Sequence, residues 1–510
     1  MATPLRDHVI AYLELNHKIV EAGAVDLLLK DRQPLILCRA VLDVIGTDAP
    51  IITQEMVEEV VARRISPQPR RGAPPPLAGT SARGAAPSPR EPFAVLQEGF
   101  TPPPAHQDPL RAYGRLFQDR YRRLSRMLRG RPGLGTVDPI RDLGHRAKEA
   151  SIIGMVREVH TTSQQHHIVL TVEDESGSLR VLIPRDSPLA HQPILSDEVL
   201  GLALALPKDG GQLARVEALE RPDVPLTRAT GRADEPHRTL FLSDLHIGSK
   251  SFLEDEWGRL IGFLRGEGPD ADAAGGIDCA VIAGDLVDGI GIYPHQERDL
   301  AIGDIVEQYA ELGRRLRELP ASMPIVVVPG NHDAVSPAEP QPALAAGLAK
   351  HLPDNVRSLP NPSTFALHGV VIEAYHGRSF DDLIPALPGT SYSRPTDVMK
   401  RMLAMRHLAP IYGSRTPLAP LPRDGLVIDP APDIFVTGHA HTFSIDRYRD
   451  VLLLNVSTWQ GETEYQKMRN ISAVPARAAV VDLTQPTHRS SVVTIDASGR
   501  DVQVRNGIPA

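Results

Sequence analysis

One segment limits the fold more than any other: Val326-Val327-Val328-Pro329-Gly330-Asn331-His332-Asp333. Three β-branched residues run into a Pro-Gly turn, which presents an amide, an imidazole and a carboxylate in succession. Such a run reads as a buried strand whose turn sets polar groups at the edge of a sheet. Four further apolar runs repeat the arrangement. Residues 239–243 lead to Asp244 and His246, and residues 277–283 lead to Gly284, Asp285 and Asp288. Residues 370–375 lead to His376 and Arg378, and residues 433–437 lead to Gly438, His439 and His441. Helix-like stretches at 254–265, 301–319, 342–351 and 397–405 separate them. Strand and helix in alternation predict a layered α/β domain over 237–485, with any site gathered at the strand ends.

The remainder divides by composition. The chain has 510 residues, 42% of them apolar, enough for several domains with a buried core. A net charge of −8 excludes a global field for nucleic acid, so such contacts would rest on local patches. Cys38 and Cys279 lie in apolar runs and read as core thiols of a reducing compartment, without a disulfide framework. No signal peptide is evident, and no apolar run approaches the ~20 residues of a membrane span, so a soluble cytoplasmic protein is expected.

Residues 1–64 read as a helical docking domain, from Leu5, Val9, Ile10 and Leu13 at helical spacing and the apolar runs that follow. Residues 65–109, rich in Pro, Gly, Ala, Ser and Arg, read as a disordered linker. Residues 110–147 open with a basic helix. Tyr113, Phe117, Tyr121, Leu124 and Leu128 share one face, and eight arginines between 111 and 131 stand against Asp119. This helix suits either a phosphate backbone or packing on a neighbouring domain. Residues 148–225 carry about five short strands, the pattern of a small barrel of OB type. Its near lack of aromatics favours docking over strong nucleic-acid binding. Residues 486–510 read as a C-terminal tail.

Singly, an Asp-x-His, a His-x-His or a Gly-Asn-His-Asp is weak; the strength lies in the set. Asp, His and Asn together are the donors of hydrolytic metal sites and suit Mn, Fe or Zn better than Mg alone. Two divalent ions about 3.5–4 Å apart can hold the attacking and leaving oxygens of a phosphoryl transfer. They need a bridging carboxylate, for which Asp285 is the natural residue. Gly284, Gly330 and Gly438 let the backbone turn tightly beneath the ligands.

In this order the motifs resemble the calcineurin-like metallophosphoesterases. Residues 242–249, 328–335, 338–343, 375–379, 457–460 and 465–471 resemble, more closely, the small subunits of archaeal family D DNA polymerases, over 110–485. That resemblance implies a calcineurin-like layered β-sandwich flanked by helices, after an OB-fold barrel and an N-terminal helical domain. It implies a 3′→5′ proofreading exonuclease, similar to the B subunits of eukaryotic polymerases but with every metal ligand kept. One ion would be held by Asp244, His246 and His441, with Asp285 bridging to a second held by Asn331, His376 and His439. The implied catalytic set is His332, Asp333 and Arg378. His332 is the acid for the departing 3′ oxygen, oriented by Asp333 or a neighbouring carboxylate, and Arg378 is a phosphate contact or a structural salt bridge. Asp288 would support the site by hydrogen bonding. The cofactors would be two divalent ions, Mn²⁺ first, with Mg²⁺, Fe or Zn as alternatives. Implied partners are a large catalytic subunit, since no polymerase motif is present here, primer-template DNA, and the sliding clamp through the holoenzyme; the expected location is nucleoid-associated. A stand-alone metallophosphoesterase or repair nuclease, and a non-enzymatic scaffold, are the competing readings.

Overall fold

A computed structural model describes residues 19–30, 38, 41, 51–54, 56–58, 92–100, 108–143, 148–207, 213–463, 472–487 and 492–506. The N-terminal part contains β1 (Ile19–Val20), α1 (Ala22–Leu28) and β2 (Ile51–Ile52), with β1 and β2 paired in parallel. The expected helical domain therefore also holds a small sheet. Leu5, Val9, Ile10 and Leu13, and the segment 465–471, lie outside the described residues. Next come β3 (Phe93–Glu98) and α2 (Pro109–Leu128). The strands β4 (Glu149–Thr161), β5 (Ile168–Glu173), β6 (Ser178–Ile183), β7 (Val199–Ala205) and β8 (Ala214–Glu220) close into a barrel in the order β4-β5-β6-β8-β7. Only β6 and β8 pair in parallel. Ile152, Val156, Leu170, Val172, Val181 and Leu202 are among the residues that fill it.

The large body follows as β9 (Arg238–Leu242), α3 (Glu254–Leu264), β10 (Ile277–Ala283), α4 (Ile305–Leu316), β11 (Ile325–Val328), α5 (Ala346–Ala349), β12 (Val356–Ser358), β13 (Ser363–Leu367), β14 (Val370–Ala374), α6 (Phe380–Ala386), α7 (Pro395–Met405), β15 (Ile434–Thr437), β16 (Ser444–Tyr448), β17 (Val451–Asn455), β18 (Arg477–Asp482), β19 (Val492–Asp496) and β20 (Gln503–Asn506). Seven strands form one sheet, β12-β11-β10-β9-β18-β19-β20, and six form the other, β16-β17-β15-β14-β13-β3. The period-two alternation of each strand builds the layers. Leu240 and Leu242 face Trp257 and Leu312 of α3 and α4, while Phe241 between them faces the second sheet. On the far side Phe435 and Leu453 meet Phe380, Met399 and Met402 of α6 and α7. The result is a four-layer sandwich of helix, sheet, sheet and helix. Within it β9, β10 and β11 are parallel neighbours, as are β14 and β15. Their C-terminal ends therefore share one rim.

Three boundaries are corrected. The linker expected over 65–109 contains β3, which pairs antiparallel with β13, Phe93 opposite Leu367 and Ser363 opposite Glu98. Its apolar run completes the edge of the six-stranded sheet, and the flanking prolines mask it in the sequence. The tail expected over 486–510 contains β19 and β20, which extend the seven-stranded sheet. The body accordingly starts before the barrel and, among the described residues, reaches 506 rather than 485.

The basic helix α2 packs inward through two of its arginines. Arg120 is fully buried, with Nε 2.7 Å from Asp424 Oδ2 and Nη1 donating to the Pro410 carbonyl. Arg123 donates to the Asp424 carbonyl and to Gln97 of β3. Tyr121 donates to the Ile153 carbonyl of the barrel. The helix thus fastens barrel, edge strand and body together, and Arg122, Arg126 and Arg129 remain exposed.

Candidate metal centre

Five loops meet on the shared rim, and the backbones of three are strained where the expected ligands sit. Asp244, His246, Asp285, His439 and His441 all adopt positive φ, between 48° and 64°. A non-glycine residue rarely does so, and each instance costs on the order of 1 kcal/mol, a cost found mainly at functional sites. The loops are laced to each other. Asp244 N donates to Gly284 O, His246 N to Asp285 O, and His439 N to the Asp244 carboxylate at 3.0 Å.

The glycines serve two different needs. Gly284 has φ +92°, and a Cβ there would lie 2.4 Å from His376 Nδ1. Gly330 and Gly438 do not have positive φ; they are required by close approach. A Cβ on Gly330 would lie 2.2 Å from Asp285 Oδ1, and one on Gly438 would lie 1.9 Å from Ser243 Oγ.

Asp244, His246, Asp285 and His441 offer donor atoms within 4.8 Å of one another, and so do Asp285, His376 and His439. His246 Nε2 and His441 Nε2 are 3.1 Å apart, and Asp244 Oδ1 is 3.2 Å from the latter. Asp285 Oδ2 stands 3.3 Å from His376 Nε2 and 3.7 Å from His246 Nε2, so it belongs to both groups. Asn331 Oδ1 lies 3.1 Å from His376 Nε2. Ring nitrogens crowded at one point beside carboxylates are the donor set of a divalent metal ion, and the fit is good on this ground.

The far nitrogens of the rings are held. His376 Nδ1 donates to the Ala283 carbonyl at 3.0 Å, and His246 Nδ1 meets Asp288 Oδ1 at 3.1 Å, which turns each Nε2 toward the cluster. Asp288 is in turn held by Gln460 and Gln296. Burial alone would lower the imidazole of His246, but Asp244, Asp288 and Asp285 push it up to about 10. For His376 burial is likewise outweighed, chiefly by Asp285, and its pKa rises to about 9. Burial opposes ionisation of Asp285 as well, yet the surrounding histidines hold it well below the usual carboxylate range.

His332 N donates to Asp285 Oδ1 at 2.8 Å, and its Nδ1 donates to the Asp288 carbonyl at 2.8 Å. Its Nε2 consequently faces the cluster, 4.0 Å from Asp285 Oδ2. Of the expected orienting groups, neither Asp333 nor a neighbouring carboxylate holds the ring at Nδ1; the Asp288 main-chain carbonyl does, and the Asp288 carboxylate stays 4.0 Å away. Asp333 Oδ2 accepts from Gly330 N and Leu286 N, and Oδ1 accepts from Tyr309 Oη. It points beneath the turn and clamps it, so its place in the catalytic set is corrected to that of a structural clamp. Arg378 follows His376 by two residues and has its Nε buried without a hydrogen-bond partner; among the described residues it forms no salt bridge.

The family model that describes the B subunit of DNA polymerases alpha and epsilon matches residues 240–444. The chain is similar to the DNA polymerase II small subunit of Archaeoglobus fulgidus, 41% identical over 71% of this chain and 73% of that one. It is also similar to that of Thermoplasma acidophilum, 35% identical over 73% of this chain and 75% of that one. The chain belongs to the DNA polymerase II small-subunit family. Among solved structures, Vps29 of Cryptosporidium parvum is 16% identical, covers 54% of this chain and 98% of its own, and has a TM-score of 0.28. Zn²⁺-bound Vps29 of Entamoeba histolytica is 14% identical over 53% and 97%, with a TM-score of 0.27.

In this small-subunit chain, one residue beside the cluster carries no signal in the sequence. Asp381, in the first turn of α6, lies 3.4 Å from His439 Nε2 and accepts from Tyr392 Oη. Burial works against its ionisation, but His439 and Tyr392 hold its carboxyl well below the usual range. Gln460, in contrast, belongs to the 457–460 motif, and its bond to Asp288 gives that motif a task.

Proposed function

We propose that this small subunit is a two-metal 3′→5′ exonuclease that removes nucleotides from DNA ends, paired with a large subunit that performs synthesis. The observation that carries the reading is Asp285, whose Oδ2 is shared between the His246/His441 group and the His376/Asn331 group. Asp244, His246 and His441 would hold one ion and Asn331, His376 and His439 the other. When bound, a pair of divalent cations, Mn²⁺ first among Mn²⁺, Mg²⁺, Fe and Zn²⁺, supplies Lewis acidity toward the phosphodiester and its nucleophile.

The side chains divide the remaining work. Asp288 and the Ala283 carbonyl fix the tautomers of His246 and His376. His332 is the general acid, because its Nδ1–H is committed to the Asp288 carbonyl and only Nε2 is left to carry a proton to the departing 3′ oxygen. Burial lowers the His332 pKa in the free chain. The negative charge of an incoming phosphodiester opposes that shift and favours the protonated ring. Arg378, with a buried and unpartnered Nε, would meet a substrate phosphate. The barrel serves docking, and primer-template DNA and the sliding clamp are reached through the holoenzyme.

The test is cleavage of a 3′-mismatched primer by the purified chain with Mn²⁺, beside Asp285→Ala and His332→Ala. Activity in the parent alone, with Mn²⁺ still bound by His332→Ala, is the expected result. Undiminished cleavage by Asp285→Ala would refute the reading, and lost metal in His332→Ala would move His332 into the ligand set.

A further inference from the structure

The loop that leaves the metal centre after Asp288 carries two isoleucines to the surface. Ile290 is 48% exposed and Ile292 38%. Scattered apolar residues on a surface need no explanation, but these stand on a segment held from several sides. Gly289 exchanges two hydrogen bonds with the buried Gln308 side chain. The buried Gln296 side chain accepts from Ile292 N and donates to the Asp288 carbonyl. Tyr293 donates to Asp299. The exposed pair is therefore presented rigidly rather than left over.

The loop also lies against the general acid. A Cβ on Gly289 would meet the His332 carbonyl oxygen at 2.2 Å and Ile292 Cγ1 at 3.0 Å, so His332 and Ile292 flank the same glycine. His332 is the most open of the site histidines: its side chain is 16% exposed, against 13% for His439 and 8% for His441. The most open histidine of the centre, bonded through its ring to the Asp288 carbonyl, thus stands beside the loop that carries this apolar pair. Charged ligands serve a phosphate; an apolar pair serves the uncharged part of a nucleotide.

We infer that Ile290 and Ile292 form an apolar lip that packs against the nucleoside whose 3′ oxygen leaves, the penultimate one of a DNA 3′ terminus. The inference rests on the exonuclease reading above. With His332 on the leaving-oxygen side, the group that covers this flank is the nucleoside bearing that oxygen. A base stacked on both sides within a duplex offers the lip no face, so the contact favours frayed and unpaired ends.

The experiment uses the full chain with its large subunit and compares kcat/KM on a single-stranded oligonucleotide and on a blunt duplex. Ile290→Ser/Ile292→Ser is expected to lose roughly tenfold on the single strand and little on the duplex, so that the ratio collapses. The conservative Ile290→Val/Ile292→Val is expected to keep the parent ratio, and an unchanged ratio in the Ser pair overturns the lip. A second readout needs no cleavage: fluorescence of 2-aminopurine at the penultimate position, with Ca²⁺ in place of Mn²⁺. A signal that responds to the parent and not to the Ser pair supports the lip even where no DNA is cut, in which case the exonuclease reading alone fails. The same response from both proteins, or from neither, removes the lip.

Discussion

Replacing Gly330 by Ala tests whether the turn after β11 sets the position of the shared carboxylate. The new Cβ would lie 2.2 Å from Asp285 Oδ1, 2.5 Å from Asp285 N and 2.9 Å from Asp285 Cγ. An ordinary contact is about 3.5 Å, so the turn or the carboxylate must withdraw by roughly 1 Å. Asp285 cannot yield freely, because its main-chain carbonyl accepts from His246 N and its side-chain Oδ1 accepts from His332 N. The displacement therefore falls on the bridging oxygen, the general acid, or both. Overpacking of this kind costs about 1–3 kcal/mol. A 1 Å error in a reacting group costs about a hundredfold in rate. Expected for Gly330→Ala are a lower melting temperature, Mn²⁺ affinity reduced at least about tenfold in a calorimetric titration, and DNA cleavage reduced about a hundredfold. Gly347→Ala in α5 is the control, since a Cβ there meets nothing within 4 Å. It should be neutral or stabilise by up to about 1 kcal/mol. Parent-like metal affinity and rate in Gly330→Ala would refute the reasoning.

Glu373, buried between Thr364 and the charges of Arg406 and Arg123, has its carboxyl raised by burial from 4.5 to about 7. The folded chain keeps a proton there that the unfolded chain has lost, so stability falls as pH rises from 4.5 to about 7, by about 3 kcal/mol in all. Glu373→Gln should flatten this part of a urea-stability profile; an identical slope in both proteins would refute the assignment. Arg120→Leu strands the Asp424 carboxylate in the interior, with His407 left beside it, and should cost about 3–5 kcal/mol in the same assay; a loss under about 1 kcal/mol would contradict it. Asp288→Ala removes the partner of His246 Nδ1 while sparing the main-chain carbonyl that holds His332, so Mn²⁺ should bind about 10–100-fold more weakly. Unchanged affinity in that variant would deny Asp288 its role.

The ligand clusters were legible because each follows a short β-branched or apolar run, and a parallel strand brings its C-terminal end to a common rim wherever the run lies in the chain. Facing was harder to read. Asn331, His332 and Asp333 are consecutive, yet the first two turn toward the cluster and the third is drawn beneath by two amides and Tyr309. No spacing rule separates adjacent residues of a tight turn. The arginines of α2 show the same limit: counting charges could not tell that Arg120 and Arg123 point inward to Asp424 and Gln97. Asp381 was silent because the helix that carries it has no motif. Strand β3 was hidden because its partner is remote, and nothing local in Phe93–Glu98 announces a sheet edge.

That remoteness bears on how the chain is made. Phe93 pairs with Leu367, so the ribosome must add 274 more residues before the partner of β3 exists. At about 5–20 residues per second this is a wait of roughly 14–55 s. Throughout it an apolar segment, Phe93-Ala94-Val95-Leu96, is present with no native edge to join. The prolines on either side, Pro92 and Pro102-Pro103-Pro104, are the residues that blunt such a segment against pairing with a second nascent chain. The stretch that reads as idle linker is thus also the guard of a strand that must wait for its partner.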